Sequence, residues 1–250
     1  YFHVVFTLPH ELNAVILNHK RLMLNCLFAA ASQTLLRFGK NEMSGTPGFL
    51  VFLHTWDQKL MAHFHLHCLV AGGVVADHGK RWIAFKGNYL FNQRALSLVF
   101  RGKFMQLLHR ACQSEKLKCE REWYQSLKNT LFAKNWVVSV RDPVKDPQQV
   151  LDYLARYTHR VAIANSRIQS LQDGVVTFSA KNRKKNRTES ITISAVEFIR
   201  RFLLHSLPSG LVRIRHYGFL ANRNRKAHLS TARVLLGVAP ASPSAPASLE

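Results

Sequence analysis

The stretch His63 to Val70, HFHLHCLV, sets three histidines at alternate positions inside an apolar run. A period of two is strand spacing, so His63, His65 and His67 share one face of a β-strand. Phe64 and Leu66 then face the other way, toward a core. Two imidazoles two apart on a strand are close enough to share one cation when a third ligand is near. The plainer alternative is a set of half-buried polar rings on a wet sheet face. Three histidines in register, with a fourth on the preceding strand, favour the metal.

That fourth is His54, in FLVFLHTW. With the loop at Asp57 to Ala62, antiparallel pairing sets His54 opposite His65 and Phe52 opposite His67, and paired residues share a face. A slip of one residue would turn His54 away. The expected ligands are therefore His65, His67 and His54, with an open position for a substrate oxygen. Gln58 and Asp57, nearer the turn, are the alternative oxygen donors.

The remaining elements follow from pattern. YFHVVFTLP is a buried strand stopped by Pro9, and Glu11 to Arg37 is helical with Gly39 as its stop. EMSGTPG reads as a loop. The histidine strand runs out at Gly72-Gly73, and RWIAFKG forms a further short strand. Ala95 to Leu131 is helical, NWVVSV is a strand, and DPVKDP is a loop. QQVLDYLARYTHRVA is a helix, VVTFSA and SITIS form a hairpin, and AVEFIRRFLLHSL is a helix ended by Pro208. After Gly237 the tail APASPSAPASLE is low in complexity and expected to be disordered. Hairpins outnumber βαβ units, so the class is α+β. The expected organisation is a catalytic core over 1–170, a basic hairpin and helix region over 171–235, and a disordered tail over 236–250.

Tyr153 and Tyr157, in YLARY, lie four apart on the expected helix, so their Cβ atoms are roughly 6 Å apart on one face. A free tyrosine has a pKa of about 10 and needs help to act as a nucleophile. A divalent cation can supply it by polarising the phosphate under attack. Tyrosine attack on a phosphodiester gives a covalent phosphotyrosine and frees a 3′ hydroxyl, so strands can be rejoined without ATP. Tyrosines at helical spacing are also ordinary core residues. Arg156, His159 and Arg160 around this pair suit a face turned toward phosphate.

Charge points to the partner. Lys and Arg number 35 against 14 Asp and Glu, a net charge of +21 spread along the chain. That excess predicts an anionic partner, nucleic acid first. No strongly amphipathic basic helix argues for a membrane surface. Leu22 to Leu36, the longest apolar segment without charge, is too short and too polar to span a bilayer. Lys181, Arg183, Lys184, Lys185 and Arg187 crowd one hairpin tip; Arg213, Arg215, Arg223 and Arg225 follow, with Tyr217 and Phe219 between them. Lysine and arginine neutralise phosphates, and aromatic rings can stack on unpaired bases. A single-strand channel with a hairpin gripping a DNA stem-loop is expected. Cys26, Cys68, Cys112 and Cys119 form no CxxC pair, which speaks against a zinc finger. No secretory signal is present, so reduced thiols and a cytoplasmic, nucleoid-associated location are expected.

The strand ending FTLP, the His-hydrophobic-His strand and the downstream tyrosine helix resemble, in that order, the HUH endonucleases. These comprise rolling-circle replication initiators, conjugative relaxases and some transposases. YFHVVFTLPHELN, LHTW, HFHLHC, YLARYTHRVAIAN, EFIRRFLLHSLP and VRIRHYGFLANR are more closely similar to the IS-ninety-one family of rolling-circle transposases, from residue 1 to about residue 225. The resemblance implies an HUH-like antiparallel sheet with helices packed on it. It also implies metal-dependent nicking and joining of single-stranded DNA at hairpin-bearing transposon ends. By motif, His65 and His67 carry over as ligands for Mg²⁺ or Mn²⁺, and Tyr153 and Tyr157 as nucleophiles; His63 fits the pattern without having to bind metal. No nucleotide cofactor is implied. Family members usually begin with a cysteine-rich zinc-binding segment before the YFHVVF strand, and this sequence does not show it. The rivals are a replication initiator or relaxase with the same chemistry, a basic DNA-binding protein without activity, and a zinc hydrolase that uses bound water in place of tyrosine.

Overall fold

In the computed structural model, residues 1–143, 148, 162–182 and 185–238 are described. The segment YLARY, expected to be helical, therefore lies outside the described residues, with Tyr153, Tyr157, Arg156 and Arg160. So do Arg183, Lys184 and the tail from residue 239 on.

The chain opens with β1 (Phe2–Thr7), a 3-10 turn (His10–Leu12) and two helices, α1 (Asn13–Asn18) and α2 (Lys20–Met43). Two long strands follow, β2 (Gly45–Trp56) and β3 (Ala62–Ala76), then the short β4 (Arg81–Ala84). Helices α3 (Gln93–Gln113) and α4 (Arg121–Phe132) lead to β5 (Val138–Arg141). The second half holds β6 (Ile168–Gln172), β7 (Val175–Asn182), β8 (Arg187–Ser194), α5 (Ala195–Leu203), β9 (Ile214–Gly218) and α6 (Arg225–Leu235). The class is α+β, as expected.

The main sheet has the order β5-β1-β3-β2-β9, with β4 also on β3. Its pairs are all antiparallel, and the histidine strand is central. β1 pairs with β3 only as far as Val70, and β4 takes up the vacated edge from Gly73. On the apolar face, Phe2, Val4 and Phe6 of β1, Phe64, Leu66 and Val70 of β3 and Phe49 and Val51 of β2 are buried. They form one core with Leu24, Leu27, Phe28 and Leu35 of α2 and with Leu96, Phe100 and Phe104 of α3. Phe6 meets Phe100 with ring centroids 4.9 Å apart. Each such fully buried side chain contributes about 1.5–3 kcal/mol relative to an exposed one.

A second sheet, β6-β7-β8, holds the expected hairpin and an extra strand that its polar sequence concealed. It packs through Val176 and Phe178 on Leu60 of the β2–β3 turn and on Trp56. Arg167 donates to the carbonyls of Ser179 and Gln58, and Arg201 to that of Lys59. The basic hairpin is thereby anchored at the histidine end of β2 and β3. Its helix α5 starts at Ser194, whose hydroxyl accepts from the Glu197 amide.

Several expectations change. Gly39 does not stop the helix; α2 runs on to Met43 and ends at Ser44, which is left-handed (φ 50°). A Cβ at Gly39 would collide with Cδ of Pro47, so this glycine serves a close crossing between helix and strand. The helix instead breaks at His19 (φ −130°). GTPG belongs to β2, and β3 continues through Gly72-Gly73 because β4 pairs there. Ala95 to Leu131 is two helices with a turn between. At that turn Cys112 and Cys119 are joined as a disulfide, Cα atoms 5.5 Å apart, in place of reduced thiols. Cys26 and Cys68 are buried free thiols. No helix among the described residues is long and apolar enough to cross a membrane.

Candidate metal centre

The β2–β3 register pairs His54 with His65 and Phe52 with His67, the alignment expected from the loop length. The turn that sets it is tied by Asp57, whose Oδ1 accepts from the amides of Lys59 and Met61, 2.8 Å each. That carboxylate caps the turn, so it is not the alternative oxygen donor at the triad. Gln58 Oε1 likewise faces the second sheet, 3.5 Å from the Lys181 amide.

His54, His65 and His67 converge. One ring nitrogen from each can be chosen so that all three lie within 4.8 Å of one another. The ring centroids are 5.4 Å (His54–His65), 4.5 Å (His54–His67) and 4.9 Å (His65–His67) apart. His65 Nδ1 lies 2.9 Å from the His63 carbonyl. A carbonyl only accepts, so Nδ1 carries the proton and Nε2 is the lone-pair nitrogen. His63 itself is exposed and serves through its backbone.

Sequence pattern alone does not single out His3, which joins the triad in the fold. It sits in the middle of β1, where pattern alone makes it a strand residue, and it is 4% exposed. Its Nε2 is 2.8 Å from Nδ1 of His67. If His67 donates, its Nε2 is left as the lone-pair nitrogen, the tautomer of an imidazole ligand held by a second group. β1 pairs Val5 with His67, which brings His3 diagonally beside it. The signal was present in YFHVVF as a polar ring on the same parity as Val5 and Thr7. Only the β1–β3 pairing, between strands far apart in sequence, gives it meaning.

Burial keeps His3 and His67 neutral. His3 is pushed down to about 4, by burial first and then by Arg141. His67 is driven far below the ordinary histidine range, by burial first and then by His65, His54, His3 and Arg141. Neutral imidazole is the form that binds metal. Three imidazoles with ring nitrogens within reach of one point therefore fit a divalent cation. The donor set holds no carboxylate, so by the affinity order of divalent metals it favours Mn²⁺ over Mg²⁺ and would hold zinc or nickel well.

The basic residues fall into two groups. Lys181 lies at the end of β7; Lys185 and Arg187 pair with Glu189 at 3.4 and 3.1 Å, so part of the hairpin's charge is answered locally. Arg223 and Arg225 are exposed at the start of α6. Arg213 stands over the Trp56 ring, its Cζ 6.0 Å from the centroid. Arg215 is turned inward: its Cζ is 3.9 Å from the Phe28 ring centroid, and it donates to Asn25 at 2.6 Å. Tyr217 stacks on Phe49 at 5.4 Å. Phe219 is buried with Ala71 and Leu220, its ring filling the space where a Cβ of Gly48 would be. These two rings are consumed by packing, because the VRIRHYG segment forms β9 on the edge of β2.

Residues 48–228 match the Y2_Tnp family, described as "Putative transposase". "Putative transposase y4qJ" of Sinorhizobium fredii (strain NBRC 101917 / NGR234) is 43% identical over 255 residues, covering 98% of this chain and 64% of that protein. "Transposase for insertion sequence element IS801" of Pseudomonas savastanoi pv. phaseolicola is 25% identical over 235 residues, covering 88% of this chain and 54% of that protein. The chain thus spans between about half and two thirds of the length of these curated relatives. A solved structure, the conjugative relaxase TrwC in complex with mutant OriT DNA, aligns over 94% of this chain and 73% of that one. With 15% identity and a TM-score of 0.34, that likeness carries no argument.

Proposed function

The chain belongs to the Y2_Tnp family of transposases, and from that premise we propose that it nicks and rejoins single-stranded DNA in rolling-circle transposition. The observation that carries this reading is the convergence of His54, His65 and His67 on one face of a central strand. A divalent cation held there would polarise a phosphodiester oxygen and stabilise the charge that develops as the phosphate is attacked. The chain's own residues do the rest. His65 presents a lone pair from a ring fixed by the His63 carbonyl, and His67 presents one when its Nδ1 donates to His3. The low pKa of His67 keeps that ring from taking up protons at working pH.

Tyr153 and Tyr157 enter as nucleophiles on the sequence resemblance alone. In the proposed step a tyrosine oxygen bonds to phosphorus and the bond from phosphorus to the 3′ oxygen breaks. The tyrosine proton is lost and the 3′ oxygen leaves as a hydroxyl. Lys181, Arg183, Lys184, Lys185 and Arg187 on the hairpin, with Arg213, Arg223 and Arg225, are proposed to neutralise the DNA backbone, Arg156 and Arg160 to flank the tyrosines. Arg215 is better placed to hold β9 on α2 than to meet DNA.

The test is a covalent-adduct assay on a denaturing gel, with labelled single-stranded element ends and Mn²⁺ or Mg²⁺. The expected result is label held by the protein, lost in the Tyr153→Phe/Tyr157→Phe double variant and in His65→Ala/His67→Ala. Cleavage that survives the double tyrosine variant would replace this reading with a water-using metal hydrolase. Tight binding without an adduct on matched ends would replace it with a DNA-binding protein lacking activity.

A further inference from the structure

Trp56 lies one step beyond the histidine triad on β2. Its indole is stacked on His54, ring centroids 5.1 Å apart and planes within 13°. His205 meets it edge-on at 5.8 Å, and Arg213 stands over it. Next to the indole opens a cleft of about 260 Å³, lined by Leu53, Thr55, Trp56, Phe202, His205 and Arg213 among others. That is below the roughly 300–1,000 Å³ of sites for drug-sized ligands. It has room for a flat ring system the size of one base.

The lining decides what enters. His205 is already committed: its Nδ1 is 3.2 Å from the Thr55 hydroxyl and its Nε2 3.1 Å from the Leu60 carbonyl. Burial holds its pKa down. This ring therefore shapes the wall. Phe202 remains 40% exposed on the rim, a large apolar ring facing solvent in a chain of net charge +21. The combination is aromatic walls, a guanidinium and few hydrogen-bonding groups. Unpaired bases are held by such surroundings, stacked on aromatic faces and arginine planes with little dependence on base identity.

We propose that this cleft is a nucleobase slot, which takes one unpaired base of the DNA strand whose phosphate lies at the histidine triad. The proposal rests on the DNA-nicking reading above and adds to it a position. Because Trp56 touches His54, the seated base belongs to a nucleotide immediately flanking the scissile phosphate. A base seated here fixes the strand's register against the triad, and strand register is what a nicking enzyme must control.

The experiment uses the full chain with Mn²⁺ and labelled single-stranded element ends in which each base in turn is replaced by an abasic site. One position beside the nick should weaken binding by roughly tenfold, the scale of one lost base–aromatic stack. In Phe202→Ala, and in Trp56→Leu where it folds, that penalty should shrink while the penalties elsewhere stay. 5-Bromodeoxyuridine at the same position should crosslink on irradiation to Trp56 or Phe202, read by peptide mass spectrometry. A uniform abasic profile, or a penalty unchanged in Phe202→Ala, would overturn the slot even if the covalent adduct forms. A crosslink at Trp56 with no adduct would uphold the slot and sink the nicking reading.

Discussion

The two faces of β3 are built from the same few residues and do opposite things. Phe64, Leu66 and Cys68 point into a core closed by α2 and α3 and are essentially dry. His65 and His67, interleaved with them, point to a face where the buried groups include His3 and His54. Burial on the first face is favourable in itself. On the second it forces polar rings out of water, and the strand tolerates it because His3 and His67 stay neutral and lie against each other while His65 donates to the His63 carbonyl. One face stores stability and the other gathers the groups of the candidate metal centre, and an error of one residue in register would exchange them.

The largest effect expected on this contrast comes from neighbouring substitutions. Leu66→Ala should cost about 2–5 kcal/mol in a denaturant titration and leave Mn²⁺ binding in the surviving folded protein. His65→Ala should leave the unfolding midpoint nearly unchanged and abolish Mn²⁺ binding in a calorimetric titration. Equal losses of stability in both would mean the histidine face is core like the other.

Next in size is His3→Phe, which keeps the ring's bulk and removes the group beside His67 Nδ1. Loss of such a supporting partner typically costs about 10–100-fold in metal affinity. Melting of the apo protein should change little by comparison. An unchanged affinity would reduce His3 to a packed polar residue.

The smallest effect is on pH. The folded chain keeps His3 unprotonated down to about 4, and His67 and His205 are also lowered, whereas an unfolded histidine takes up its proton near 6.5. Between those values the unfolded state binds more protons, so stability falls as the pH drops from about 6.5 toward 4. Melting temperatures of the metal-free protein across that range should decline, and less steeply in His3→Phe.

How much of this was legible in the sequence differs by element. The register of the β2–β3 hairpin around the histidines was readable, because HFHLHC and FLVFLHTW alternate cleanly and a short turn favours one register that buries the apolar set; the far end, where GTPG joins β2 and β3 runs past Gly72-Gly73, was not. The hairpin of β7 and β8 was readable for the same reason. What failed was what depended on distant chain. Gly39 looked like a stop because glycine weakens helices, yet it is where Pro47 crosses α2. VRIRHYGF looked like a basic DNA-contacting segment, yet it adds a strand to β2 and so spends Arg215, Tyr217 and Phe219 on packing. Gly218 (φ +62°) supports that pairing, since a Cβ there would strike the Pro47 carbonyl.

Alternation and loop length are local properties, so residue order alone dictated the strand, the face that carries His65 and His67, and the partner that His54 would become. Which other groups meet that face was settled by pairings between strands far apart in the chain. β1 brings His3 to His67, and the segment before β9 brings Arg213 to Trp56. No periodicity encodes such contacts, because they come from which sheet edge offers unpaired backbone groups and which rings the packing leaves room for.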